Sequence, residues 1–117
     1  MADTKPDFSG WVTRNDRLCS DGKTIRHGAF KGMHNSKVPL VWQHNWSEPG
    51  SILGYVELKH RDEGVYGYAF FNETENGQHA RLMVQHGDIT GLSIHANRLK
   101  LRGQDVLDGE IKEVSLV

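Results

Sequence analysis

The sequence predicts a mainly β domain with a few helices (α+β), built as a closed or partly closed antiparallel β-barrel with helices packed on its outside. Three observations favour this fold. Short runs of alternating apolar and polar residues recur along the chain, Gly-containing turns separate them, and one segment has helical periodicity. Because each such strand buries one face, a sheet curled on itself with flanking helices encloses a core.

A single domain accounts for the length of the chain. Of its 117 residues, 37% are apolar and 25% are charged, and a chain of this size can bury roughly two thirds of its unfolded surface. We expect residues 1–9 to be a flexible N-terminal segment and residues 10–117 to form the domain. The net charge of −1, with seven neutral histidines, provides no long-range field to attract nucleic acid or an anionic membrane.

The cysteine content and the N-terminus predict a cytoplasmic location. The single cysteine, Cys19, excludes an intrachain disulfide and the multi-cysteine zinc patterns, and fits a reducing compartment. Residues 1–7 are polar, and no apolar run approaches the length of a membrane span. Export and membrane anchoring are therefore not expected.

The first 71 residues are expected to form strands and one short helix. Gly28 and Gly32 weaken the helix predicted over residues 26–33, and Asp21-Gly22 is a predicted turn. The predicted strands are residues 10–18, 38–44, 52–59 and 65–71. The last two strands are separated by a short connection ending in Gly64, which indicates a hairpin. In the strand over residues 38–44, His44 continues the apolar stripe of Val38, Leu40 and Trp42.

The second half begins with the clearest helix, predicted over residues 77–87. Ala80, Met83 and Val84 share one face at a period of 3.6 residues, Asn76 is the expected N-cap, and Gly87 is the expected stop.

An extended segment follows Gly91. Ser93 and His95 share one face of this strand, and Leu92, Ile94 and Ala96 share the other. The apolar positions change parity beyond Ala96, so we expect a bulge near Asn97. After a turn at Gly103-Gln104, residues 110–117 form the last predicted strand.

Ser93 and His44 are the residues best placed for chemistry. Ser93 is a small polar residue after a helix and a glycine. His44, beside Trp42 and Trp46, is expected to be partly desolvated, which favours the neutral imidazole that a general base requires. Structural roles remain open for both residues, because strand serines usually fill space and histidines at the edge of a core usually hydrogen bond a carbonyl.

Four motifs carry a resemblance to a known family. They are Gly28-Ala29-Phe30, the VPLVWQH run of residues 38–44, the GLSI run of residues 91–94 and the EVSLV run of residues 113–117. In this order and at these spacings they resemble the motifs of the prohead maturation proteases of tailed phages. The resemblance spans about residues 10 to 117.

The resemblance implies a fold and a set of site residues. The family is similar to the herpesvirus assemblins, which implies a seven-stranded barrel wrapped by helices. Ser93 would be the nucleophile and His44 its general base, and the acidic residue of the last motif, Glu113, would orient the base. Independently of the resemblance, His95 is the alternative third member, because it lies two residues from Ser93 on the same strand face. Backbone N–H groups are the usual oxyanion donors, and Arg98 is a candidate helper. No metal or organic cofactor is implied.

The implied activity is cleavage of scaffold-protein and capsid-protein extensions inside the assembling procapsid in the host cytoplasm, together with self-cleavage. Assemblins are activated by dimerisation, so the resemblance leaves a homo-oligomer open, although nothing in the sequence marks an interface. Relatives continue beyond the last motif, which would make residues 10–117 a C-terminally trimmed protease domain. The alternative is a non-catalytic β-barrel binding module of the phage head, with Ser93 and His44 in structural roles.

Overall fold

The computed structural model describes residues 5–17, 22–43, 49–89 and 91–116. The elements in chain order are β1 (Phe8–Arg14), β2 (Thr24–Ile25), β3 (Lys37–Trp42), β4 (Ile52–Arg61), β5 (Gly64–Phe71), α1 (Glu75–His86), β6 (Leu92–Arg102) and β7 (Asp105–Leu116). Two short 3-10 helices, Lys31–Met33 and Pro49–Ser51, precede β3 and β4. None of the helices in these ranges is both long and apolar enough to cross a membrane.

The strands form one curled sheet, a half-barrel that is not fully closed. The order is β1-β5-β4-β3-β7, with β6 on the other side of β7 and β2 beside the N-terminal part of β7. The partly closed form of the predicted barrel is therefore confirmed. The antiparallel prediction holds for most pairs, but β7 pairs in parallel with both β2 and β3. Alternation along a strand is the same for either direction, so the sequence pattern could not distinguish them.

The predicted apolar stripes form the core inside the curl of the sheet. Leu40 of β3, Val56 and Leu58 of β4 and Val114 of β7 have no exposed surface. Burying each such side chain contributes about 1.5–3 kcal/mol. The hairpin of β4 and β5 is confirmed, with Gly54 opposite Phe71 and the strands paired through to their turn.

Helix α1 begins two residues earlier than predicted. Thr74 is its N-cap, with the side-chain oxygen accepting a hydrogen bond from Gly77 N at 3.1 Å. The expectation that Asn76 caps the helix is wrong, because Asn76 Nδ2 donates to Gly50 O. The predicted stop is confirmed, since Gly87 has a φ of 91° and terminates the helix.

The predicted apolar face of α1 also packs as expected. Ala80 is buried, and Met83 and Val84 lie against the core. This apolar face stabilises the helix against the sheet, because burial of apolar surface contributes more to helix stability in proteins than intrinsic propensity does. The helix therefore lies on the β4 and β5 side of the sheet.

Three other elements differ from the sequence prediction. The helix expected over residues 26–33 is reduced to the 3-10 turn Lys31–Met33, and Gly28 before it has a φ of 82°, outside the helical region. Strand β1 begins at Phe8, two residues before its predicted start. Strand β7 begins five residues before its predicted start, at Asp105.

The irregularity expected near Asn97 is present in β6. The pairing of β6 with β7 shifts register between Asn97 and Lys100, and Arg98 has a φ of 52°. An extra residue in one strand reverses which face the following side chains occupy. This explains why Leu99 packs against the core, although in a regular strand Leu99 and Ile94 would lie on opposite faces.

Candidate active site

The pairing of β6 with β7 places four polar side chains on one face of the sheet. Ser93 lies opposite Ser115, and His95 lies opposite Glu113. The strands are regular between these pairs, and side chains two residues apart share a face. Three of the predicted site residues, Ser93, His95 and Glu113, are therefore brought together by backbone pairing.

The opposite face of the same strands is apolar and fixes their register. Leu92 and Ile94 of β6, and Val114 and Leu116 of β7, pack in the core. A slip of one residue would exchange the two faces and expose this apolar set. The core therefore holds the polar set in place.

Glu113 and Ser115 are fully buried even though they lie on the polar face. Both side chains have 0% exposed surface, and Ser115 Oγ donates to Glu113 Oε2 at 2.6 Å. A buried carboxylate is costly unless it is hydrogen bonded, and bonds to an ionised acceptor are short and strong. Ser115 is therefore one of the groups that fix the position of this carboxylate.

Ser93 and Glu113 are diagonal neighbours across the two strands. Diagonal positions on one face of an antiparallel pair are roughly 7–8 Å apart. Both side chains project from the same face of the paired strands. This placement is compatible with a hydroxyl and a carboxylate that act through a histidine between them.

The end of β3 lies beside the same part of β7. Val41 pairs in parallel with Ser115, and Gln43 N donates to Leu116 O at 3.2 Å. Gln43 has a φ of 44°, in the left-handed region that non-glycine residues rarely occupy. His44, the predicted base, is the next residue in the sequence but lies outside the described residues.

The other two candidates are more exposed. His95 is exposed on the face that it shares with Ser93. The side chain of Arg98 is 76% exposed, with Nε 3.8 Å from Glu110 Oε2. Its role as an oxyanion helper stays a prediction. No group of three or more His, Cys, Asp or Glu residues in the described part of the chain could hold a metal ion.

Sequence reasoning did not identify Ser115 as a site residue. Its signal was present, because Glu113 and Ser115 are two residues apart in a strand and therefore share a face. The alternation could not show that this face is buried, because burial depends on which other elements pack against it.

The comparisons with known proteins give one match. The family model described as caudovirus prohead serine protease matches residues 2–117. A search of curated proteins found no match, and a search of solved structures found none either. Because the match extends over nearly the whole sequence, this chain belongs to the caudovirus prohead serine protease family.

Proposed function

We propose that this chain is a serine endopeptidase that cleaves scaffold-protein and capsid-protein extensions during prohead maturation, with Ser93 as nucleophile, His44 as general base and Glu113 as the carboxylate that orients the base. The observation that carries the proposal is the placement of Ser93 and Glu113 as diagonal neighbours on one face of paired strands. The family match over residues 2–117 supports the same activity.

The reaction proceeds through an acyl-enzyme. His44 takes the proton of Ser93 as the hydroxyl oxygen attacks the peptide carbonyl carbon. The C–N bond then breaks, and the imidazolium gives the proton to the leaving amine. Water, deprotonated by His44, hydrolyses the ester and regenerates Ser93.

Glu113 acts through the base and does not contact the substrate. Its carboxylate holds the imidazole in the tautomer that can accept a proton from Ser93, and it stabilises the imidazolium that forms. Ser115 donates to Glu113 Oε2 and so keeps the carboxylate in one orientation. In this proposal His95 contacts the substrate, and Arg98 is a candidate donor to the oxyanion.

The same proposal includes the setting in which the protease works. It would act inside the procapsid in the host cytoplasm, cleave itself as well as its capsid substrates, and function as a homo-oligomer. The likeness to the herpesvirus assemblins is part of the proposal, and the curled sheet with one packed helix is compatible with it.

Two measurements on the full chain test the nucleophile. Ser93→Ala should abolish cleavage of the phage scaffold protein, with a loss of up to ~10⁶ in rate, while the thermal melt stays close to that of the wild type. A fluorophosphonate probe should label the wild type on the peptide that contains Ser93. Ser9→Ala is the matched control, because Ser9 is an exposed serine on β1, and it should keep both activity and labelling.

Retention of scaffold cleavage by Ser93→Ala would overturn the assignment of the nucleophile. If the folded wild-type chain neither cleaves scaffold protein nor reacts with the probe, while still binding a head component, the alternative of a non-catalytic binding module is correct.

A further inference from the structure

A groove runs beside Ser93, between the two end strands of the curled sheet. Among the described strands, β1 pairs with β5 and β6 pairs with β7, so the other edges of β1 and β6 bound the opening. The strands come close at one end, where a Cβ added to Gly10 would lie 3.8 Å from Leu92 Cδ1. The groove has a volume of about 640 Å³, which is within the usual range for ligand sites.

The walls of the groove combine the candidate nucleophile with an apolar floor. Ser93 and His95 lie on the β6 side, and Val12, Phe30 and Ile94 are among the apolar residues that line it. Since Ser93 is one of the lining residues, a peptide bound here would lie beside it. Its neighbouring side chains would extend along the groove at about 3.3 Å per residue.

The charge of the lining is one-sided. Arg14, Arg17 and Lys23 line the groove, and none of its described lining residues is Asp or Glu. Of the described carboxylates, Asp16 and Asp105 lie outside the lining and pair with Arg26 at 2.9 and 3.0 Å. The described lining therefore combines three basic side chains with no acidic one, although the whole chain carries a net charge of −1.

Two buried polar atoms in the groove wall have no hydrogen-bond partner in the described part of the chain. They are Thr13 Oγ1 and Arg14 Nε. Thr13 is 7% exposed, so its hydroxyl has little access to solvent. Buried donors in native proteins are nearly always satisfied, and a ligand oxygen is one way to satisfy them. Arg14 is also positioned by its stacking over the Trp11 ring, with Cζ 5.0 Å from the ring centroid.

We infer that this groove binds an acidic segment of the peptide substrate, with an Asp or Glu side chain near the scissile bond held by the Arg14 guanidinium, in a lining to which Arg17 and Lys23 add basic side chains. A guanidinium matches a carboxylate through two parallel hydrogen bonds. The inference rests on the proposed function, since it takes Ser93 to be the residue that attacks the bound peptide. It adds a substrate class that the catalytic residues alone do not specify.

The first test reads cleavage preference from a mixture of peptides. The wild-type chain is incubated with a peptide library prepared from a bacterial proteome, and mass spectrometry identifies the residues around each cleaved bond. We expect Asp and Glu to be enriched close to the bond, on one side of it. Arg14→Glu and Arg17→Glu should each remove that enrichment.

Two variants make this test specific. Arg17 is exposed, so Arg17→Glu tests the charge of the groove even if Arg14→Glu destabilises β1. Arg61→Glu is the matched control, because Arg61 is exposed on β4, outside the groove, where it donates to Tyr68 OH. It should keep the wild-type preference. Cleavage by the wild type without enrichment of acidic residues would overturn the inference and leave the proposed function intact.

The second test measures binding without cleavage. A fluorescein-labelled hexaglutamate peptide should bind to Ser93→Ala at low salt, and a hexaglutamine peptide should bind at least tenfold more weakly. Arg14→Glu in the same background should remove this difference, and added salt should weaken it because charge attraction is screened. This result would support binding of acidic peptides in the groove even if Ser93 proved not to be the nucleophile. Equal binding of both peptides, or tighter binding of a single-stranded DNA oligomer, would overturn the inference.

Discussion

Ser115 Oγ donates a hydrogen bond to Glu113 Oε2 at 2.6 Å, and neither side chain has exposed surface. The two residues are neighbours on one face of β7, directly across from the β6 segment that carries Ser93. A carboxylate held in this way has little freedom to rotate or to reach solvent. The proposed mechanism uses that rigidity, because the group that orients a histidine must itself be fixed.

Ser115→Ala is expected to lower kcat while leaving KM close to the wild-type value. A hydrogen bond to a charged group contributes about 1.5–3 kcal/mol, so its loss corresponds to roughly a 10- to 100-fold decrease in kcat if the carboxylate must be oriented in the transition state. Steady-state kinetics on a peptide from the scaffold protein measures both constants. Ser115→Thr, which keeps the hydroxyl, should recover part of the rate.

A control separates positioning from simple loss of stability. Ser36→Ala changes a serine at the opposite end of β3 from Gln43, next to the start of the strand, and should leave kcat unchanged. If Ser115→Ala lowers the melting temperature but keeps the wild-type kcat and pH profile, Ser115 has a structural role alone.

Glu113→Gln is expected to lower kcat by roughly 10²- to 10⁴-fold, and by less than His44→Ala does. The amide keeps the shape of the side chain but removes the charge that stabilises the imidazolium. His95→Ala should cost less than about tenfold, since His95 is exposed and the proposal gives it contact with substrate rather than with the base. Rates measured for the three variants under saturating substrate give the ranking. A larger loss for His95→Ala than for Glu113→Gln would make His95 the third member.

The strand pattern of the site was predictable from the sequence because alternation is a local property. The opposite faces of Ser93 and Ile94, and the irregularity near Asn97, follow from side-chain parity and are present in β6. The direction of β3 relative to β7 was not predictable. Alternation is indifferent to strand direction, and the parallel pair forms between segments that are far apart in the chain.

The burial of Glu113 shows a second limit of sequence reasoning. In the last strand, the alternation of Glu113 and Ser115 with Val114 and Leu116 resembles a strand with one solvated face. The structure instead buries both faces. Whether a polar face meets solvent depends on what packs over it, and no pattern within one strand contains that information.

The N-cap of α1 also could not be predicted from the local sequence. Thr74 and Asn76 are both good capping residues, and the contact of Asn76 with Gly50 decides between them.

Gly54→Ala is expected to destabilise the protein by about 1–3 kcal/mol or more, as overpacking does. A Cβ at this position would lie well inside van der Waals distance of Phe70 O on the paired strand. Backbone cannot move aside as a flexible side chain can, so β4 and β5 would have to separate. Urea denaturation measures the change in the free energy of unfolding.

Gly32→Ala is the matched control for that measurement. Gly32 lies in the 3-10 turn before β3, has no atom within 4 Å of an added Cβ, and does not have a positive φ. We expect its free energy of unfolding to stay within about 0.5 kcal/mol of the wild type. An equal loss for both substitutions would mean that the close approach of the strands at Gly54 is not what limits side-chain size there.

Gln43→Val should impair catalysis more than its effect on stability explains. Gln43 has a φ of 44°, a conformation that costs an ordinary residue about 1–2 kcal/mol and a β-branched residue more. The backbone would relax toward an extended φ and redirect the chain immediately before His44. A displacement of about 1 Å in a catalytic group can cost roughly 100-fold in rate, so we expect a 10- to 100-fold loss of kcat. Gln43→Gly, which accepts a positive φ, should keep activity close to that of the wild type.

Asn35→Val provides the comparison for this last prediction. Asn35 also has a positive φ, 67°, but lies in the turn that precedes β3, at the end of the strand away from Gln43. Asn35→Val should lose at least as much stability as Gln43→Val in urea denaturation, because it also removes the oxygen that accepts a hydrogen bond from Lys59 Nζ, and it should keep its kcat. If the two variants lose activity equally, the loss reflects general destabilisation, and the backbone conformation of Gln43 does not position the proposed base.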